Sequence, residues 1–302
     1  MAAAVWTDLL DPSLEELREH ARRALRPAAA DVLLAPSTGD GDRRPRLQGQ
    51  GEYVLGVFLV PVLVPEEDRV YYQELDLVAS DDAVLTVRKT PAADPPLDVD
   101  VVRAAVSGRE TAGEITYGIA DEVAERYLDL IDGVGEEIEE LDDNVDAWSA
   151  AKVRTRISSI RHDLLHIRRA LAPTRDAIRG IVDGRVELAD SVLFPRDVEL
   201  AFGNVYDKLL RASEALDFAR DLLGSVRDYV QSKIATEQNE VMKRLTAIAS
   251  LLLLPTFIVG LYGQNFEDIP ELSWRLGYAW SWGAIVVTTL IQLLVYRWRR
   301  WL

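Results

Sequence analysis

The chain contains no cysteine and only three histidines, His20, His162 and His166, in 302 residues. Without thiolates there is no cysteine zinc site, no iron–sulfur cluster, no thiol nucleophile and no redox switch. Three histidines leave little for imidazole-based metal or acid–base chemistry, which disfavours a soluble metalloenzyme. No Ser-His-Asp order, Gly-rich phosphate loop or ATP motif stands out, so the sequence reads as a non-enzyme with no organic cofactor. Positive charge is scarce too: 34 Lys plus Arg face 50 Asp plus Glu, a net charge of -16. That balance repels phosphate backbones and speaks against a nucleic-acid partner, while it suits a protein that handles cations.

What is present is segregated along the chain. The stretch from 243 onward holds almost all the uninterrupted apolar sequence, and nearly all the acidic charge precedes it. This reads as a water-soluble acidic body followed by a membrane anchor or pore. The start, MAAAVWTDLLDPSLEELREH, has no basic n-region and reaches charged helical sequence at once, so the first part is expected to stay in the cytosol.

Asp11-Pro12-Ser13 is expected to open a helix running to about Arg26-Pro27. Asp11 can cap free backbone N–H groups, Pro12 is tolerated at the first helical position, and Glu15 and Glu16 suit the positive dipole end. A second helical piece over Ala28 to Leu34 gives way to the loop STGDGDRRP. Three β-branched and aromatic runs follow, Tyr53 to Val64, Val70 to Ala79 and Ala83 to Lys89, with turn residues between them. They read as an antiparallel meander closed by TPAADPP.

From Gly113 to Tyr262 the pattern is helical. Asp121 to Asp146 carries 12 acidic residues against Arg126 alone, whereas Lys152 to Arg179 carries eight basic residues against Asp163 and Asp176. Two such helices make an antiparallel hairpin, its charges either solvated and paired or concentrating divalent cations. His162 and His166, spaced i, i+4, could hold zinc on a helix, but lie among arginines with no carboxylate cluster beyond Asp163 and read as solvent or interface residues. A last soluble helix starts near Phe194-Pro195-Arg196-Asp197 and keeps apolar spacing through Val205, Leu209, Leu216, Leu223, Val226, Val230, Ile234 and Val241. Continuous to Tyr262, it covers roughly 65 residues, on the order of 100 Å, which points to a stalk or an oligomeric bundle.

Leu245 to Tyr262 and Gly277 to Tyr296 carry no charge, and each is long enough as a helix to cross a hydrocarbon core. The short connection GQNFEDIPELSWR is acidic at Glu267, Asp268 and Glu271, while Lys243, Arg244, Arg297, Arg299 and Arg300 flank the other ends. Positive residues mark the cytoplasmic side, so both termini are expected inside and the loop outside. Ala249, Thr256 and Gly260 recur beside Met242, Leu245 and Leu253 as a stripe on the first span, which also contains Pro255. Small residues admit close helix contact or line a narrow lumen, and periodicity leaves both open. A pore lined by one helix per subunit requires an oligomer.

The stretch Asn239 to Trp282, with the terminal RWRRWL, resembles the end of the CorA family of magnesium transporters. In that family two terminal membrane helices are joined by a loop reading Y-G-M-N-F and then P-E-L; here it reads Tyr262-Gly263-Gln264-Asn265-Phe266 and Pro270-Glu271-Leu272. VYDKLL, ARDLLGSVRDYV, IRRALAPTRDAI and WTDLLDPSLEEL extend the likeness backward. The resemblance implies an α+β membrane protein: a cytosolic α/β domain (1–115), a helical hairpin and stalk (116–242) and a two-helix pore domain (243–302), assembled as a homopentameric funnel in the cell (inner or plasma) membrane. It implies a selectivity loop of Gly263, Gln264, Asn265 and Glu271, and a pore lined by Asn239, Met242, Leu245, Ala249, Leu253, Thr256 and Gly260. Mg²⁺ is then the transported ion and a regulator, with the lipid bilayer and further copies of the chain as partners; a zinc transporter of the related branch, moving Zn²⁺, Co²⁺ or Ni²⁺, and a non-conducting scaffold or sensor are the alternatives. Two departures stand out. Gln264 replaces the family's Met, and the positions of its acidic regulatory pair carry Val32 and Asn204, with Asp31 and Asp207 alongside.

Overall fold

The computed structural model describes residues 4–24, 33, 44–64, 69–90, 99–106, 111–186, 188, 192–265 and 269–301. Five strands, β1 (Val5–Leu10), β2 (Arg46–Gly49), β3 (Val54–Val64), β4 (Arg69–Ala79) and β5 (Ala83–Lys89), form one sheet in the order β1-β5-β4-β3-β2. The expected meander is β3-β4-β5, antiparallel throughout. Two edge strands were not expected from the sequence. β1 pairs parallel to β5, Val5 opposite Ala83 through Leu10 opposite Arg88, and the four-residue β2 pairs antiparallel to β3.

The hidden strand β1 has Asp8 at its middle, which β-propensity penalises. Its partner strand repairs that: Asp8 receives hydrogen bonds from Arg88 Nη2 (2.7 Å) and Thr86 Oγ1 (2.7 Å), and Trp6 Nε1 donates to Thr86 Oγ1 (3.0 Å). The helix after it, α1 (Leu14–Ala24), is capped by Ser13 and not by Asp11. Ser13 Oγ accepts from the Glu16 N–H and the Glu16 carboxylate accepts from the Ser13 N–H, a reciprocal capping box. Asp11 sits at φ 44°, and its carboxylate receives the Thr90 N–H. The helical piece expected over Ala28 to Leu34, the STGDGDRRP loop up to Arg43 and TPAADPP after Thr90 lie outside the described residues, save Leu33.

Leu17 and Leu33 pack with Tyr53, Leu55, Val78 and Val87 against one face of the sheet. On that face Lys89 Nζ bridges Glu74 (3.1 Å) and Asp76 (2.5 Å), all three buried. A short helix, α2 (Asp100–Val106), leads to α3 (Ala112–Asn144), whose Ile119 and Val123 line a small cavity together with Leu75 of the sheet. The buried Tyr127 donates to the Leu59 carbonyl (2.7 Å), and burial pushes its phenol pKa up. Thr111 and Glu114 form the capping box of α3. Gly113 is required there, because a Cβ would collide with the Leu193 carbonyl oxygen. The basic helix α4 (Ala150–Val182) returns antiparallel to the acidic α3, tied by Arg156 to Glu137 at 3.3 Å. Most of the other α3 carboxylates past Arg126 are exposed.

The expected long helix is α5 (Arg196–Tyr262), continuous over 67 residues. Its residues Val198, Phe202, Val205, Leu209, Ala212, Leu216, Ala219, Leu223 and Val226 are all buried. Their strict alternation of four and three is the seven-residue repeat of a packed helical seam. Two compact units meet within this helix, residues 1–226 and 227–302. The second consists of the remainder of α5, a one-turn 3₁₀ helix (Pro270–Ser273) and α6 (Gly277–Trp298).

Candidate functional site

Both α5 and α6 contain stretches long and apolar enough to cross a membrane, and almost none of that apolar surface is buried. Leu252, Leu253 and Phe257 on α5, and Leu290 and Leu294 on α6, are more than half exposed. Exposed leucine and phenylalanine on this scale have a solvent in lipid and not in water.

The two helices meet through one side of α5. Ala247 is fully buried there, Ser250 Oγ and Tyr296 Oη share a hydrogen bond, and Gln292 Nε2 lies 3.5 Å from the Ser250 carbonyl. Ser250, Leu251, Leu254, Pro255, Ile258 and Tyr262 on the same side are half-buried. At about 100° per residue, Asn239, Met242, Leu245, Ala249, Leu253, Thr256 and Gly260 occupy an arc centred about 180° from that contact. All seven are exposed. The stripe picked out from the sequence is therefore the face of α5 that α6 leaves open. Thr256 Oγ1 is turned back onto the Leu252 carbonyl (2.7 Å), which leaves its oxygen lone pairs as the polar group on that face. The contact side, with Ser250, Gln292 and Tyr296, was missed from the sequence; its signal is three polar residues inside two uncharged runs, which lipid tolerates only where they pair.

At the end of α5 the Gly263 N–H closes on the Val259 carbonyl (2.9 Å), and a Cβ at Gly263 would approach that oxygen to 3.1 Å. Gln264 and Asn265 follow, both exposed. Neither side-chain amide bonds to a described residue. Phe266, Glu267 and Asp268 lie outside the described residues; Glu271 is in the 3₁₀ turn, its side chain likewise not described. Trp274 meets Trp280 edge to face (6.4 Å), and Tyr278 meets Trp282 (6.5 Å), an aromatic belt at the same end of α6.

Among the described residues no group of three or more His, Asp or Glu is placed to hold a metal. His162 and His166 lie ring to ring at 4.2 Å on α4. Asn204 and Asp207 are exposed on α5, and Asp31 and Val32 lie outside the described residues. Beside Asp207, Lys208 is engaged by Asp121 and Glu125 of α3, both at 2.6 Å. Its partial burial works against the charge, but the two carboxylates prevail and raise its pKa.

Residues 2–300 match the family described as CorA-like Mg2+ transporter protein. The cobalt/magnesium transport protein CorA of Methanocaldococcus jannaschii is 24% identical over 98% of this chain and 90% of its own length. The Thermotoga maritima protein of the same name is 27% identical over 64% of this chain. The chain covers only a little over half of that relative, 54%, and 58% of a Bacillus subtilis relative to which it is 29% identical over 63% of its own length. The complete structure of the M. jannaschii CorA magnesium transporter superposes with a TM-score of 0.79 at 21% identity, covering 98% of this chain and 90% of that one. The full-length CmaX protein superposes at 0.72 and 24% identity, covering 99% and 89%.

Proposed function

The chain belongs to the CorA-like family of Mg2+ transporter proteins, and from that premise we propose that it is a divalent-cation channel, Mg²⁺ being its principal ion, which moves passively down its electrochemical gradient. The observation that carries this reading is the open face of α5: seven residues opposite the α6 contact, ending at Gly263 and the exposed amides of Gln264 and Asn265. A single helix encloses nothing, so that face lines a lumen only in a ring of copies, which we take as the family's homopentamer. A ring of Asn265 amides and Gly263 carbonyls presents neutral oxygens to the waters of an arriving cation. This suits Mg²⁺, which gives up its hydration shell reluctantly. Glu271 and the acidic loop raise cation concentration at the mouth. Met242, Leu245 and Leu253 form apolar constrictions, with Asn239, Ala249, Thr256 and Gly260 as polar or small positions between them.

On this reading residues 243–302 are the pore domain, 116–242 the hairpin and stalk and 1–115 the cytosolic domain, with Lys243, Arg244 and Arg297 to Arg300 setting both termini on the cytoplasmic side of the cell membrane. Gln264 adds a second ring of amides and gives the Zn²⁺ alternative its basis. Val32 and Asn204 carry no charge, so feedback by cytosolic Mg²⁺ through Asp31 and Asp207 is weak. The test is Mg²⁺ and Zn²⁺ flux into liposomes holding the purified protein. Saturable Mg²⁺ entry that Asn265→Ala abolishes, with assembly intact, supports the channel. Wild-type flux in that variant removes the loop filter, and no flux from a folded oligomer leaves a scaffold.

A further inference from the structure

The last residues of α6 form a turn that ion conduction does not explain. The Trp301 N–H bonds to the Tyr296 carbonyl (2.9 Å) and the Arg300 N–H to the Arg297 carbonyl (3.2 Å), the paired bonds of a Schellman cap. The cap's left-handed position, which glycine fills without strain, is held by Arg300 at φ 56°. Arg300 thus occupies a strained position with its side chain exposed. The turn is also anchored: the Trp301 ring stacks on Tyr296 (5.7 Å between centroids, 10° between planes), and Tyr296 is bonded to Ser250 of α5. Trp298, by contrast, is 82% exposed.

Around this turn Arg297, Arg299 and Arg300 are exposed, as are Lys243 and Arg244 on α5. Ser250 meets Tyr296, and the helices run antiparallel from there, which brings Lys243 and Arg244 to the level of the turn. None of the five cations is in an ion pair with a described residue; Glu237 and Glu240 lie on α5 beyond Lys243, farther from the apolar span. In a chain of net charge -16, five exposed cations without an ion pair among the described residues therefore collect at one end of the apolar hairpin, with tryptophan at the same level.

We propose that this collar binds the phosphate of anionic phospholipid headgroups. Guanidinium groups match phosphate oxygens in pairs, Trp298 occupies the interface beside them, and basic residues next to a membrane helix draw anionic lipid to it. The stack of Trp301 on Tyr296 ties the occupied collar to α5. The inference needs the hairpin to span a membrane and does not need it to conduct.

The test uses the full-length protein in phosphatidylcholine vesicles doped with brominated phosphatidylglycerol or brominated phosphatidylcholine, reading tryptophan quenching. The share of quenching lost in Trp298→Phe reports the collar. That share is expected to be greater for phosphatidylglycerol, and Arg299→Gln with Arg300→Gln reduces the preference by about fivefold per arginine. Arg300→Gly relaxes the cap while removing the charge, so it keeps the fold and still weakens the preference. Equal quenching by the two lipids, or an unchanged preference in Arg300→Gly, overturns the proposal. Millimolar inorganic phosphate that abolishes the preference reassigns the collar to soluble phosphate. The same preference is expected in Asn265→Ala, which separates failure here from failure of the channel reading.

Discussion

The two halves of α5 are both helical and both rich in apolar residues, yet they end in opposite surroundings. Up to Val226 the apolar positions are buried every third or fourth residue, with Phe202 between Tyr117 (5.8 Å) and Phe194 (5.4 Å). Beyond it Val241, Leu245, Leu252, Leu253 and Phe257 are exposed, and Ala247 alone is buried. The first half is mostly polar outside that stripe, Leu200 and Phe218 being exposed exceptions, so one stripe faces protein and the rest faces water. After a polar stretch over 227–244, apolar residues from Leu245 to Tyr262 cover every side, which leaves one side for α6 and the others for lipid or further copies of the chain. Burial in this helix is decided by the partner present and not by the apolar residue itself.

The sharpest way to break that comparison is to truncate both halves. Phe202→Ala leaves a cavity in a packed seam and costs about 3–5 kcal/mol. Leu253→Ala has no seam to empty and leaves the thermal midpoint in detergent nearly unchanged, while it widens a constriction and raises cation flux. Equal destabilisation by the two would mean that the exposed half is packed. Lys89→Met probes the first unit with a similar effect. It strands the buried carboxylates of Glu74 and Asp76, a loss of about 3–5 kcal/mol, and is expected to lower the unfolding transition of residues 1–226 while the helicity of the membrane hairpin persists.

Much of this was legible in the sequence because periodicity and uninterrupted apolar runs survive without knowledge of partners. The three central strands, the acidic and basic hairpin and α5 from Arg196 to Tyr262 were each expected within a residue or two or in kind. β1 was not, since Asp8 spoils its pattern and is rescued by Arg88, distant in sequence. The cap of α1 went to Ser13 because Glu16 completes the box, whereas Asp11 is taken by Thr90. At the candidate site, heptad spacing located the stripe, but nothing in it told that α6 covers the other side. That depended on Ser250, Gln292 and Tyr296, whose pairing is tertiary.

Lys208 sharpens the comparison from the buried half. Removing it as Lys208→Met leaves Asp121 and Glu125 without their shared cation and is expected to cost about 1 kcal/mol, since Glu125 is half exposed and solvent screens part of the attraction. The pH dependence has a definite sign. The folded-state pKa is raised above the ordinary 10.5, so the contribution is whole at neutral pH and is lost as pH rises through the folded value. Thermal midpoints of wild type and Lys208→Met should run parallel from about pH 6 to 9 and converge only above about pH 10.

The smallest effect is expected where the second half of α5 does have a partner. In lipid two apolar helices gain nothing by excluding solvent from each other, so the α5–α6 contact depends on close packing at Ala247 and on the hydrogen bond between Ser250 and Tyr296. Interhelical hydrogen bonds in membranes average about 0.6 kcal/mol, and Tyr296→Phe should lower stability by no more than that. Tyr296 also carries the stack with Trp301, which phenylalanine preserves, so the C-terminal turn stays in place and only the tie to α5 is cut. If α5 is oriented by that tie, Tyr296→Phe changes cation flux out of proportion to its small effect on the thermal midpoint. If both move together by about 2 kcal/mol or more, the hairpin is held as the soluble seam is held, and the contrast between the halves of α5 fails.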